Sequence, residues 1–366
     1  MAPGGDAITK PDQEPGMAIL DLTRLPRSAV LALLAALLLP APGRAETAIR
    51  FTLDRKIDGP SAPFFLAIDK GYFKAEGLDV TIEAPAAAAA VATSAAAPTD
   101  PISRLAAGTA DMGVADLNGL IRFRDDNPAL PIKALFVVFD KPPYAIIARK
   151  SRSIAAPKDL EGKKLGTTAA DGSFTPWPIF ATVNGIDAAK VVVETVGLPV
   201  REPMLAAGEL DAITGCAFTS YVDLKAGGVP ADDLAVLAMA DYGVELYGDA
   251  IMAAPKFLAE KPEAARGFLR AYLKALKDTL RDPARAVEAV LPRNDAAKKD
   301  IELERLRLAI RDNIVTRAVK AKGFGGIDPA RFAAAINQLA LAYRFNAREK
   351  AADAFDPSFL PGAAEQ

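Results

Sequence analysis

Leu105-Ala106-Ala107-Gly108 runs into Asp111, and Leu205-Ala206-Ala207-Gly208 runs into Asp211 with the same spacing. In each copy an alanine-rich helix meets a glycine that stops it, turns, and enters a short apolar strand. Upstream in each half a proline-led aromatic segment ends at a glycine, Gly71 or Gly185, and a valine-bearing acidic strand follows. A chain that repeats such a unit reads as two similar α/β halves.

The rest of the chain fits that reading. The first half reads as strand 48–54, helix 63–72, strand 78–83, helix 100–107 capped by Asp100, strand 111–115, helix 117–125 and strand 132–139. The second half reads as strand 164–168, helix 176–184, strand 191–196, helix 202–207, and strands 212–215 and 236–239. Strands alternating with helices predict parallel or mixed sheets. Residues 84–98 are an alanine-rich, low-complexity stretch, read as a loop or helical extension without chemistry. From Pro262 onward Phe268, Leu269, Tyr272, Leu273, Leu276 and Leu280 mark one apolar helix face. Asp282-Pro283 starts a further helix, and residues 297–320 read as a charged one; these stripes are packing faces.

Composition narrows the chemistry. The 366 residues contain no histidine and one cysteine, Cys216. That removes histidine acid–base catalysis, Ser-His-Asp triads, the common zinc sites and any intrachain disulfide. With 44 basic and 46 acidic residues there is no global basic field, which argues against a nucleic-acid binder. The balance tilts toward binding rather than catalysis, with no cofactor and no metal expected.

The N-terminus reads as an address. Arg24 and Arg27 precede the eleven-residue apolar run 29–39, too short to span a bilayer. Pro40 and Pro42 break it, and Gly43-Arg44-Ala45 offers small residues for a cut after Ala45. This order of signals predicts a cleaved secretory signal peptide over 1–45 and a periplasmic protein. Met17 is an alternative start.

Residues 52–83, TLDRKIDGPSAPFFLAIDKGYFKAEGLDVTIE, resemble the opening of periplasmic solute-binding proteins of ABC importers. The resemblance is to the class that includes nitrate, taurine, aliphatic-sulfonate and thiamine-pyrimidine binders. LAAGTADMGVAD (105–116), SIAAPKDLEGKKLG (153–166) and KPEAARGFLRAYLKAL (261–276) extend it over roughly 48–345. It implies the type II two-lobed α/β architecture with hinge strands and a helical C-terminal part. Residues 46–142 would begin one lobe, 143–249 form the other, 250–350 return to the first, and 351–366 trail as a tail. The crossings are expected near 142–150 and 247–254. The implied role is that of a monomeric, non-enzymatic component delivering a small solute to an inner-membrane ABC permease. A sensor that presents its solute to a membrane receptor is an alternative. A thiamine-pyrimidine synthase of the same fold is disfavoured, because the resemblance implies for it a histidine and a cysteine-rich metal motif. A regulator's effector domain would need a helix-turn-helix where the leader stands.

In open α/β sheets ligands sit beyond the carboxyl ends of the strands. That rule selects Asp54, Arg55, Ser61 and Phe64 after the first strand, Asp116 and Asn118 after the third, and Phe139 after the fourth. In the second half it selects Asp171, Ser173, Phe174 and Trp177, then Phe218 and Thr219, then Tyr242. Asp116 and Asp171 can equally be helix caps, and Trp177 can pack on a neighbouring loop. Aromatic faces with carboxylates suit a flat, nitrogen-bearing or hydroxylated organic solute. Taurine or an alkanesulfonate stays open as the alternative, with its sulfonate at Arg55 or backbone N–H groups.

Overall fold

The computed structural model describes residues 46–85, 100–168 and 172–362. The expected leader, the alanine run from residue 86 and Asp171 lie outside the described residues. Within them, the two repeated turns have the same construction. Gly108 and Gly208 both stand in the left-handed region, at φ 69° and 78°, where a side chain would be strained. Three residues on, Asp111 accepts from the Arg50 amide at 2.8 Å and donates its own amide to the Arg50 carbonyl. Asp211 does the same with Lys164, at 2.9 and 3.1 Å. Each aspartate thus fastens its own strand to the parallel neighbour at the point of entry.

The strands form two five-stranded mixed sheets with one shared plan. In the first, β1 (Thr47–Thr52) lies between β2 (Leu78–Glu83) and β3 (Met112–Asp116), and β10 (Asp249–Ala253) lies between β3 and β4 (Lys133–Val137). In the second, β6 (Lys164–Thr167) lies between β7 (Val192–Thr195) and β8 (Ala212–Cys216), and β5 (Tyr144–Arg149) lies between β8 and β9 (Leu234–Ala238). The parallel pairs are β1–β2, β1–β3, β6–β7 and β6–β8; β10 and β5 run antiparallel to both of their neighbours. The chain therefore leaves the first sheet after β4, builds the second, and returns through β10.

The crossings expected near 142–150 and 247–254 fall on β5 and β10, which are interior strands of the sheets, and the connections are residues 138–143 and 239–248. Both strands are buried on both faces, so no polar alternation marks them. The expected helix 63–72 is two pieces, α1 (Ala62–Asp69) and α2 (Tyr72–Ala75), separated by left-handed Gly71. Further helices are α3 (Pro101–Ala106), α4 (Leu117–Asp126), α5 (Trp177–Val183), α6 (Leu198–Ala207) and α7 (Ala217–Ala226). After β10 come α8 (Pro255–Glu260), α9 (Pro262–Arg281), α10 (Pro283–Ala286), α11 (Lys299–Ala309), α12 (Arg317–Lys322) and α13 (Pro329–Leu339). The stretch expected as one helix over 297–320 is broken by a π turn at Ile310–Ile314.

The apolar face of α9 closes the first sheet. Phe268 stacks on Phe51 and Phe73 at 4.9 and 4.8 Å, and Tyr272 meets Phe64 and Phe136 at 4.5 and 5.5 Å. All six rings are nearly inaccessible. Such aromatic pairs add about 1 kcal/mol each to the burial of their surface.

Candidate functional site

Two sheet ends supply the polar residues. In the first sheet the carboxyl end of β3 and the amino end of antiparallel β10 coincide, so Asp116 pairs with Asp249. In the second the end of β8 meets the start of β5, so Cys216 pairs with Tyr144. Asp116 caps α4, accepting from the amides of Asn118 and Gly119 at 3.1 and 3.2 Å. Tyr144 faces it from the second sheet and lowers its pKa.

Arg55 lies at the centre of this cluster. Its Nη2 donates to Asp54 Oδ2 at 2.7 Å and to Asp249 Oδ2. Its guanidinium carbon stands 5.5 Å from the ring centre of Phe139 and 5.7 Å from that of Phe218. Those rings meet at 63°, with centroids 5.8 Å apart, and form an aromatic corner. Phe139 comes from the first connection and Phe218 from α7, so Arg55 reaches from the first sheet's loop to the second sheet's helix.

The electrostatics follow from burial. Desolvation works against the Arg55 charge, but Asp249 and Asp54 outweigh it and hold its pKa well above the usual arginine value. Burial pushes the carboxyl of Asp249 up; Arg55 opposes this, and the carboxylates of Asp54 and Asp116 reinforce it. Asp116 is also raised by burial, against its hydrogen bonds from Asn118 and Gly119 and the opposing influence of Tyr144. Burial, with Asp116 and Asp249 nearby, lifts the Tyr144 phenol well above its ordinary value, so it is a proton donor throughout the physiological range.

A second buried group flanks the first. Asp58 is 2% exposed, and its Oδ1 has no hydrogen-bond partner among the described residues. Burial raises its pKa to about 6; Arg55 and Arg305 lower it, while Glu302 and Asp54 raise it. Glu302 of α11 accepts from the Gly59 amide at 2.7 Å. Arg305, one turn on, donates to Glu302, to the Thr219 carbonyl at 3.2 Å, and to Asp223 of α7. Lys56, Ile57, Asp223, Arg293, Glu302 and Arg305 help line a recess of about 560 Å³ beside this loop. Asp249, Asp116 and the aromatic corner do not line it.

The sequence-selected residues divide accordingly. Asp54, Arg55, Asp116, Phe139 and Phe218 come together at the cluster, and Asn118 supports it through Asp116 and the Tyr247 carbonyl. The Ser61 hydroxyl is spent on the Asp58 carbonyl at 2.6 Å. Phe64 lies in the α9 core, and Ser173 hydrogen-bonds to Thr214 beneath the second sheet at 3.2 Å. Trp177 is 4% exposed and neighbours Phe180, whose ring also meets Tyr242. Phe174 and Thr219 are half-buried. Sequence reasoning missed Asp58, Tyr144 and Asp249. The last two had a signal: each is a polar residue opening a four-residue apolar run, AIIA or AIMA, after a proline- or glycine-bearing connection.

Two mixed sheets, each completed by one antiparallel strand from across the connection, define the periplasmic binding protein fold. The periplasmic sulfonate-binding protein SsuA of Methylobacillus flagellatus is similar in fold, with a TM-score of 0.60 at 17% identity over 86% of this chain and 93% of that one. The chain belongs to the NMT1/THI5-like family, whose pattern matches residues 60–286. Its relatives include the riboflavin-binding protein RibY of Chloroflexus aurantiacus, 27% identical over 69% of this chain and 68% of the relative. The formylaminopyrimidine-binding protein of Halalkalibacterium halodurans is 25% identical over 67% and 72%. The 4-amino-5-hydroxymethyl-2-methylpyrimidine phosphate synthase THI13 of Saccharomyces cerevisiae is 27% identical over 61% and 64%. Among the described residues no helix is long and apolar enough to cross a membrane.

Proposed function

We propose that this chain is the solute-binding component of an ABC-type importer and that its solute is a flat, nitrogen-bearing heterocycle of the pyrimidine or flavin class. The observation that carries the reading is the joint presence of Asp54, Asp116 and Asp249 with the Phe139–Phe218 corner at facing sheet ends. Carboxylates accept from ring N–H and exocyclic amino groups, and the two rings offer apolar faces to a planar molecule. An anion would meet three carboxylates against one guanidinium already engaged by two of them, so a sulfonate is disfavoured. A synthase reading lacks the histidine that the resemblance implies, since the sequence has none.

In this reading residues 46–137 and 249–350 form one lobe and 144–238 the other, joined at 138–143 and 239–248. Solute touching both lobes binds the closed arrangement better and shifts the population toward it. The closed form then docks on an inner-membrane permease, after export under the 1–45 leader. Asp54, Asp116 and Asp249 hold the solute, Phe139 and Phe218 flank it, and Asn118 positions Asp116.

The test is a thermal-shift and calorimetric panel on protein unfolded and refolded to strip carried solute. It sets 4-amino-5-hydroxymethyl-2-methylpyrimidine and riboflavin against taurine, ethanesulfonate and nitrate. A binder at 100 times its Kd adds about 2.7 kcal/mol of stability. We expect that gain from a ring compound, and its loss in Asp249→Asn. A gain confined to the sulfonates or nitrate overturns the solute class.

A further inference from the structure

We propose that the Arg55 side chain is a tethered occupant of the solute's own subsite, and that solute binds by displacing it. This rests on the solute class proposed above. The guanidinium is itself a flat, N–H-rich cation. It donates to Asp54 and Asp249 and lies against both Phe139 and Phe218. Those are the contacts that a planar amidine-edged ring would make: two adjacent donors to carboxylate oxygens, and apolar faces beside aromatic rings.

The charge inventory gives the reason for an occupant. Without Arg55, Asp54, Asp116 and Asp249 would share a buried site without a counter-charge, and the facing sheet ends would repel. Arg55 supplies that charge when solute is absent. Its attachment also lets it leave. Asp249 is 5% exposed at its side chain, whereas Arg55 keeps 22%, its neighbour Lys56 is exposed, and Lys56 and Ile57 border the 560 Å³ recess. The recess beside the next two residues is where the side chain would withdraw. Two consequences follow. Affinity for solute is set by competition with an intramolecular ligand. The solutes favoured are those that replace both the planarity and the N–H donors of the guanidinium, ahead of neutral apolar rings and of anions.

The test removes the occupant and asks what refills its place. In Arg55→Ala, methylguanidinium at millimolar concentration is expected to raise the melting temperature saturably. Methylammonium, equally charged but not planar, is expected to do so far less, and wild type is expected to respond to neither. Adding Asp249→Asn to the variant is expected to abolish the response. In calorimetry, Arg55→Ala is expected to bind 4-amino-5-hydroxymethyl-2-methylpyrimidine about tenfold more tightly than wild type. Arg55→Gln, which keeps a flat polar end without the charge, carries the same titration if the alanine variant does not refold.

A tenfold loss of pyrimidine affinity in either variant overturns the proposal, because Arg55 would then be a solute contact. An absent or non-selective methylguanidinium response in a folded Arg55→Ala also overturns it. If methylguanidinium refills the site but no ring compound binds either protein, the occupant stands and the proposed solute class fails.

Discussion

At the scale of single residues the loop after β1 is the most constrained part of the molecule. Asp58 is buried, and its raised pKa of about 6 means that the fold prefers it protonated. The folded state therefore holds more protons than the unfolded chain between the ordinary carboxylate value of 3.8 and about 6, and stability falls as pH rises through that window. Asp58→Asn removes the penalty. We expect the variant to be more stable than wild type by roughly 2–3 kcal/mol at pH 7.5 and equal to it below pH 4. Urea unfolding at the two pH values measures this; an equal difference at both would mean that the effect is not titration. The next residue is fixed by space. A Cβ on Gly59 would stand 2.0 Å from the Glu302 carbonyl oxygen, a backbone atom that cannot turn aside. Gly59→Ala is expected to cost about 1–3 kcal/mol through displacement of α11, read from the same unfolding curves. Little of this was legible in the chain. Asp54, Arg55 and Asp116 follow strands, where the carboxyl-end rule looks. Asp249 and Tyr144 open antiparallel strands, where the rule points to the opposite sheet end. Asp58 depends on Glu302 and Arg305, far away in sequence, and nothing local announces them.

At the scale of elements the repeat was the most legible feature, because its cause is local. A left-handed glycine followed by an aspartate three residues on makes the same fastening twice, at Asp111 and at Asp211. Truncating either leaves a backbone amide of the neighbouring strand without its acceptor. Asp111→Ala and Asp211→Ala are each expected to lose about 1–2 kcal/mol of stability, measured by chemical denaturation. A loss at only one of them would show that the two turns are not equivalent. The strands between polar and apolar surroundings were equally readable from alternation. The antiparallel strands β5 and β10 were not: they are buried almost throughout, and each follows directly on a connection between the sheets, so their segments read as crossings. For α6 the expected start was residue 202. Here tertiary packing overrides propensity: the helix runs from Leu198 with Pro199 in its first turn and Pro203 inside it.

At the scale of the whole molecule the question is what holds the two halves together when solute is absent. In the two-lobed reading proposed above, the connections 138–143 and 239–248 act as hinges, and two sets of contacts oppose their motion. One is the Arg55 cluster. The other is α11, which grips the loop after β1 through Glu302 and Gly59 and grips α7 through Arg305 with Asp223 and Lys225 with Glu304. Arg305 is almost fully buried at 4%, whereas Asp223 is 38% exposed, so their ion pair is partly screened. Removing the exposed partner leaves Arg305 with Glu302 and the Thr219 carbonyl, and the fold should survive. Asp223→Asn is therefore expected to weaken closure by about 1 kcal/mol. In the proposed mechanism solute binds the closed form, so its apparent affinity should fall with the closed fraction, by up to about fivefold. Small-angle scattering should then give a larger radius of gyration for the solute-free variant than for wild type, with the two converging at saturating solute. An unchanged radius together with unchanged affinity would assign α11 a purely structural role and leave the Arg55 cluster alone to set the open–closed balance.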